Sequence, residues 1–251
     1  LKKRYGNLTS KNKHISKLKR IRKKVSVLVF AAVLLLATVP AFGIQKAEAA
    51  GAPKSQADPK EIEKAAEFAS NLTGVRKDFL MGMLVVESDL GRKSGTCTYK
   101  EVEEGAQKAY ANGQLSQKAW NTFLNRRETI KGIAKDLGYD YEKLQVSCNP
   151  SNYAGTGGAM GIPQFMPDTW LEYKDRIAAA VGKENPDPWN EKDGVVAMAL
   201  KLSDVYGVKN HNRLAEWNAA KIYLSGTTSW RYDWYANQIF YWSRNYEQLI
   251  G

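Results

Sequence analysis

Glu87 is the first residue whose surroundings suggest chemistry. It closes the stretch FLMGMLVVE, which is almost wholly apolar, and is followed by SDLG. A carboxylate near the end of a helix opposes the helix dipole, so stability alone would not choose it there. An apolar helix also tends to bury the face that carries the acid. A carboxyl partly removed from water has a raised pKa and stays protonated near neutral pH. That is what a general acid needs in order to protonate a leaving oxygen. The second candidate is GTGGAMGIPQFMPDTW, residues Gly155 to Trp170. Its glycines allow close approach of backbone to a ligand. Gln164 can both donate and accept hydrogen bonds, and Phe165, Met166 and Trp170 offer apolar faces. This is no phosphate loop, because Gly-Lys-Ser/Thr is absent. The bland alternatives are a surface carboxylate at a helix end and a glycine-rich turn before a capped helix.

These residues must be held by helices. Asp58-Pro59 opens one that runs to about Gly74, with the cap residue and proline in their usual order. The helix carrying Glu87 begins near Arg76 and is expected to be the buried central one. Residues 96–114 are mixed in character and expected to be partly irregular. Ser116 to Leu137 has helical spacing and ends at Gly138. Ser147 to Gly161 reads as a loop at a cleft. Asp168 is expected to cap a helix to about Val181, and Asn190 to cap the next, EKDGVVAMALKLSDVYG. Arg213–Tyr223 and Trp230–Leu249 give two more. No stretch alternates with period two. The expected fold is all-α, seven or eight helices around a substrate cleft.

The chain has 251 residues and a formal charge of +11. Residues 1–24 hold eleven Lys/Arg and no acid, whereas from Gly51 onward 25 basic residues balance 25 acidic ones. A neutral body has no general hold on phosphates, which argues against nucleic acid as partner. Arg126-Arg127 reads as a solvated helix face. The basic segment precedes VSVLVFAAVLLLATV, then Pro40 and Ala47-Glu48-Ala49. Basic region, apolar run and A-x-A site read as a secretory signal; an uncleaved membrane anchor is the alternative. The division is residues 1–49 as signal or anchor, 50–58 as linker and 59–251 as the exported domain. In an oxidising compartment Cys97 and Cys148 read as a disulfide, contributing roughly 3–4 kcal/mol through the loop it closes. With only His14 and His211, no metal cluster is expected.

The ES pair on an apolar helix, followed by GAMGIPQFMPDTW, resembles the lytic transglycosylases, in the branch typified by membrane-bound lytic murein transglycosylase B. The resemblance runs from about Lys60 to Glu247. It includes DPWNEKDGVVAMALKL and the tyrosine-bearing segments AAKIYLSG and WYANQIFYWSRNY. It implies a lysozyme-like helical domain that cuts peptidoglycan glycan strands between N-acetylmuramic acid and N-acetylglucosamine, as a monomer, without cofactor. Glu87 then matches the single catalytic acid. Ser88, Met160, Gln164 and Tyr223 match substrate-binding positions. Two departures bear on the subsites: Leu224 stands where the family often has asparagine, and Gly155-Thr156-Gly157 stands where a serine is common. A hydrolytic muramidase would need a second carboxylate, with Asp89 and Asp168 as candidates. Asp89 lies two residues on and faces another side, and Asp168 is more simply a cap. A non-catalytic glycan-binding scaffold would use exposed aromatics such as Trp230, Trp234 and Tyr241, which at helical spacing read as core.

Overall fold

A computed structural model describes residues 57–150, 155 and 157–251. The expected signal or anchor and nearly all of the linker lie outside the described residues. Eight α-helices carry the described fold: α1 (Pro59–Thr73), α2 (Lys77–Ser88), α3 (Tyr99–Ala111), α4 (Gln117–Leu137), α5 (Pro167–Val181), α6 (Glu191–Ser203), α7 (Arg213–Ser225) and α8 (Asp233–Trp242). Among the described residues no helix is long and apolar enough to cross a membrane.

Local chemistry sets most of the boundaries. Asp58 accepts a hydrogen bond from the Lys60 amide, and α1 stops where Gly74 turns left-handed. Ser116 caps α4, which ends at the left-handed Gly138. Asn190 caps α6. α5 differs from expectation: its cap position is Met166, with Pro167 at the first turn, so Asp168 lies inside the helix. Proline drives the residue before it into extended backbone and is itself pre-set for the first helical position, so the boundary falls one step earlier.

Residues 99–111, expected to be partly irregular, form α3. Thr98 and Glu101 cap it reciprocally, through the Thr-x-x-Glu pattern of a capping box. The stretch Trp230–Leu249 is not one helix: short 3₁₀ turns at Trp230–Tyr232 and Tyr246–Leu249 flank α8. Two two-residue strands, β1 (Cys97–Thr98) and β2 (Gln145–Val146), pair antiparallel with Cys97 opposite Val146. Strands this short leave no alternation in the sequence. The Cys97–Cys148 disulfide spans 51 residues and fastens this pair, with Cα atoms 5.0 Å apart.

α2 is the central helix. Every residue from Phe79 to Val85 is buried, as a helix apolar on all sides must be. Phe79, Leu80, Met81, Met83 and Leu84 are fully enclosed, each contributing roughly 1.5–3 kcal/mol by leaving water. α2 packs against α1, α6 and α8, while α1 lies along α6 and α5 packs between α4 and α6. α2 and α8 approach backbone to backbone at Gly82, where an added Cβ would stand 2.4 Å from the Ile239 carbonyl oxygen. Two ion pairs anchor the ends of these elements. Arg76, ahead of α2, donates to both carboxylate oxygens of the buried Glu216 on α7, at 3.2 and 2.9 Å. Lys221 on α7 donates to Asp233, the first residue of α8, at 2.8 Å.

Candidate active site

Glu87 lies in the last turn of α2. After Ser88 the chain turns through three left-handed residues, Asp89, Leu90 and Gly91. Ser88 holds this turn: its hydroxyl is buried, donates to the Leu84 carbonyl and accepts from the Gly91 amide. Ser88 therefore braces the end of α2 and does not line the cleft. Glu87 itself opens into a cleft of about 520 Å³ lined by Arg126, Gln164, Phe165, Met166, Thr169, Lys201, Tyr223 and Leu224. That volume suits a small-molecule or sugar-sized site.

The carboxyl of Glu87 reaches the cleft yet is surrounded by protein. Burial pushes its pKa up from 4.5 to about 7, against the opposing pull of a hydrogen bond from Tyr235 and the charge of Lys201. The Tyr235 hydroxyl, carried on α8, donates to Glu87 Oε1. Both Tyr235 and Tyr223 have pKa values raised well above the usual range, first by burial, so both remain donors. The Tyr223 hydroxyl donates a hydrogen bond to the Pro163 carbonyl, which fixes α7 against the segment bearing Gln164.

Gln164 adopts a left-handed backbone, φ 51°, a conformation that costs a non-glycine residue and clusters at functional sites. Its amide nitrogen donates to the Ser94 carbonyl at 2.9 Å and to the Gly161 carbonyl at 2.7 Å. The donors expected for a ligand are thus spent on the backbone, and the amide oxygen is what remains. Met160, expected among the substrate-binding residues, is fully buried and bridges Val146 and Phe165. It supports the cleft wall from behind. The glycines around it serve the fold too: a Cβ at Gly161 would stand 1.8 Å from the Pro188 carbonyl oxygen, and one at Gly157 2.7 Å from the Asn149 amide nitrogen. The close approach they permit is of backbone to backbone, and the cleft is lined by residues that follow them, Gln164, Phe165, Met166 and Thr169.

Three groups escaped the sequence reading. Tyr235 belongs to the buried stripe Tyr235, Ala236, Ile239 and Phe240, and that periodicity was the available signal. Lys201 sits in the last turn of α6, directly after the apolar run Val195 to Leu200. Arg126, expected on a solvated face, lines the cleft and donates to Asp168 at 3.1 and 3.0 Å. Trp230, Trp234 and Tyr241 correct the opposite way: expected in the core, they are more than half exposed. Trp230 lies in the 3₁₀ turn ahead of α8, and Trp234 and Tyr241 lie on α8 outside the buried stripe that packs on α2.

The other candidate carboxylates are occupied elsewhere. Asp89 pairs with Arg92 at 2.7 Å and Lys93 at 3.5 Å, and the Arg92 hydrogen bond holds its pKa down. Asp168 pairs with Arg126. Among the described residues Glu87 is the one carboxylate lining this cleft.

The molecule resembles solved structures. The Escherichia coli lytic transglycosylase SLT35 in complex with bulgecin A superposes with a TM-score of 0.55 at 15% identity, covering 76% of this chain and 72% of that one. A 36 kDa muramidase/transglycosylase gives 0.56 at 16% identity, covering 76% and 73%. Among the curated proteins none matches. The family model for the transglycosylase SLT domain matches residues 45–204. With that match over more than half its length, the chain belongs to the transglycosylase SLT domain family, lytic transglycosylases of lysozyme-like helical fold.

Proposed function

We propose that this protein is a peptidoglycan lytic transglycosylase that cleaves the β-1,4 bond between N-acetylmuramic acid and N-acetylglucosamine and leaves a 1,6-anhydromuramoyl end. The observation that carries the reading is one carboxylic acid, with pKa about 7, standing without a second carboxylate among the described residues that line its cleft. Glycosidases that use water commonly need two such groups. With one, the nucleophile has to come from the substrate.

Protonated Glu87 gives its proton to the glycosidic oxygen. The bond from the muramoyl anomeric carbon to that oxygen breaks, its electrons stay with the departing N-acetylglucosamine, and positive charge develops on the sugar ring. Glu87, now a carboxylate, takes the proton of the muramoyl 6-hydroxyl, whose oxygen bonds to the anomeric carbon. The acid is restored and no water is consumed. A pKa near neutral serves both halves, since the group must give a proton and then accept one. Tyr235 holds the carboxyl in place and stabilises its charged form between the steps. The reading includes action as a monomer, and the Cys97–Cys148 disulfide supports a location outside the cytoplasm.

Mass spectrometry of the fragments released from purified peptidoglycan tests this. Products one water lighter than hydrolysed ends are expected. Reducing muramic ends would make the enzyme a hydrolase. Intact glycan with binding preserved would favour the scaffold reading that the exposed Trp230 and Trp234 leave open.

The pH profile gives an independent check. The Tyr235 hydrogen bond favours the carboxylate form of Glu87, so losing it raises the pKa. In Tyr235→Phe the alkaline limb of kcat/KM is expected to move to higher pH, with a lower maximum because the carboxyl is less well held. An alkaline limb that stays in place or moves down would remove Tyr235 from this role.

A further inference from the structure

Lys201 has no place in the mechanism above, yet it stands in the same cleft as Glu87. Its side chain is half-buried on α6. Its ammonium lies 5.2 Å from the ring centre of Phe165 and 4.8 Å from that of Tyr223. The two rings favour a cation through their faces. No carboxylate lies within ion-pair distance among the described residues: Glu172, Glu87 and Asp168 act on it from further away. The other cation of the cleft, Arg126, is already neutralised by Asp168. A cation partly removed from water without a counter-ion is costly. Its surroundings are those of a receptor awaiting an anion.

We propose that Lys201 is a specificity-determining residue whose ammonium receives a carboxylate borne by the muramoyl sugar, the lactyl carboxylate of strands from which the stem peptide has been removed. This rests on the glycan-cleaving reading given above. In the alternating strand, N-acetylglucosamine carries no ionisable group. The muramoyl lactyl group ends either in an amide to the peptide or, once that amide has been hydrolysed, in a free carboxylate. The stem peptide has carboxylates of its own, but they hang further from the ring that Glu87 attacks. A hydrolysis of the lactyl amide would then be the class of reaction that supplies the preferred substrate.

The test uses three soluble glycans: peptide-bearing, peptide-stripped, and peptide-stripped with its lactyl carboxylates converted to amides. Affinity is measured in a Glu87→Gln background, so that nothing is turned over, with Lys201 intact, as Lys201→Met and as Lys201→Arg. The expected result is a loss of about tenfold or more for Lys201→Met on the stripped glycan, recovery of most of it in Lys201→Arg, and no change on the amidated glycan. A loss confined to the peptide-bearing glycan would keep the receptor role and move its source to a stem-peptide carboxylate. Equal losses on all three glycans, or none on any, overturn the proposal. If the parent with Lys201 intact binds none of them and the wild type cuts none, the failure belongs to the glycan-cleaving reading itself.

Discussion

Glu87→Gln is expected to lose glycan cleavage by at least about 10²–10⁴-fold, the usual contribution of a general acid–base group, while still binding peptidoglycan. Glutamine keeps the shape of the side chain and can still accept from Tyr235. It has no proton to give to a leaving oxygen and no basic form to take one from the 6-hydroxyl. In the proposed mechanism both halves depend on the same atoms, and among the described residues no second carboxylate lines the cleft to offer a residual route. Comparing cleavage rate and pelleting with insoluble peptidoglycan, for the variant and the wild type, decides the matter. A variant that cuts within about tenfold of the wild type would sink the role of Glu87.

The same substitution should also change stability with a definite sign. The folded pKa of Glu87, about 7, lies above its ordinary 4.5. Below the ordinary value the group is neutral in both folded and unfolded chains and has no differential effect. As pH rises from 4.5 to 7, the unfolded chain ionises freely while the folded one resists. The native state is penalised by an amount that is complete above pH 7. Glutamine removes that penalty. The variant is therefore expected to melt higher than the wild type at pH 8, with the difference shrinking below pH 5. A loss of stability at pH 8 would contradict the buried environment on which the catalytic argument rests.

Gly82→Ala is expected to damage both stability and activity, through an atom far from the chemistry. Inside α2 an alanine would ordinarily gain about 1 kcal/mol over glycine. Here its Cβ would meet the Ile239 carbonyl oxygen at 2.4 Å and the Ser243 amide nitrogen at 2.9 Å. These are backbone atoms of α8 and of the residue just past it, so no side-chain rotation can relieve the clash, and α8 has to retreat. Overpacking of this kind costs roughly 1–3 kcal/mol or more, a fall of a few to about 10 °C in Tm for a domain of this size. The retreat carries Tyr235, one turn before Ile239, away from Glu87, one and a half turns after Gly82. A loss of kcat larger than the stability change explains is expected. Gly132→Ala provides the contrast: that glycine lies within α4, and a Cβ there meets nothing within 4 Å, so it should be neutral or stabilising. If both alanines behave alike, the α2–α8 contact does not set the site.

Much of this protein could be read directly from its residues. Caps and stops such as Asp58-Pro59, Gly74, Ser116, Gly138 and Asn190 act over one turn of chain, so their meaning is local and survives without a structure. The continuous apolar run before Glu87 requires a buried helix and, at its end, a carboxyl poorly reached by water. Pairing of Cys97 with Cys148 followed from their being the only two cysteines. Where two local rules competed, the outcome was misread: Pro167 displaced Asp168 from the cap, and the Thr98-x-x-Glu101 box was passed over in a segment of mixed composition.

The tertiary structure alone decided what depends on distant segments meeting. Tyr235 is separated from Glu87 by 148 residues, and the packing of α8 on α2, at Gly82 and through Phe79 against Phe240, selects it from among its neighbouring aromatics. Tertiary packing also turned Met160 and Ser88 away from the cleft, spent the Gln164 donors on carbonyls, and exposed Trp230 and Trp234. Lys201 and Arg126 look alike in the sequence, as cations on helices. One has an aspartate opposite it and the other has two aromatic rings and an open cleft. That difference arises from which helices lie side by side, because charge pairing acts over a few ångströms in space and takes no account of separation along the chain.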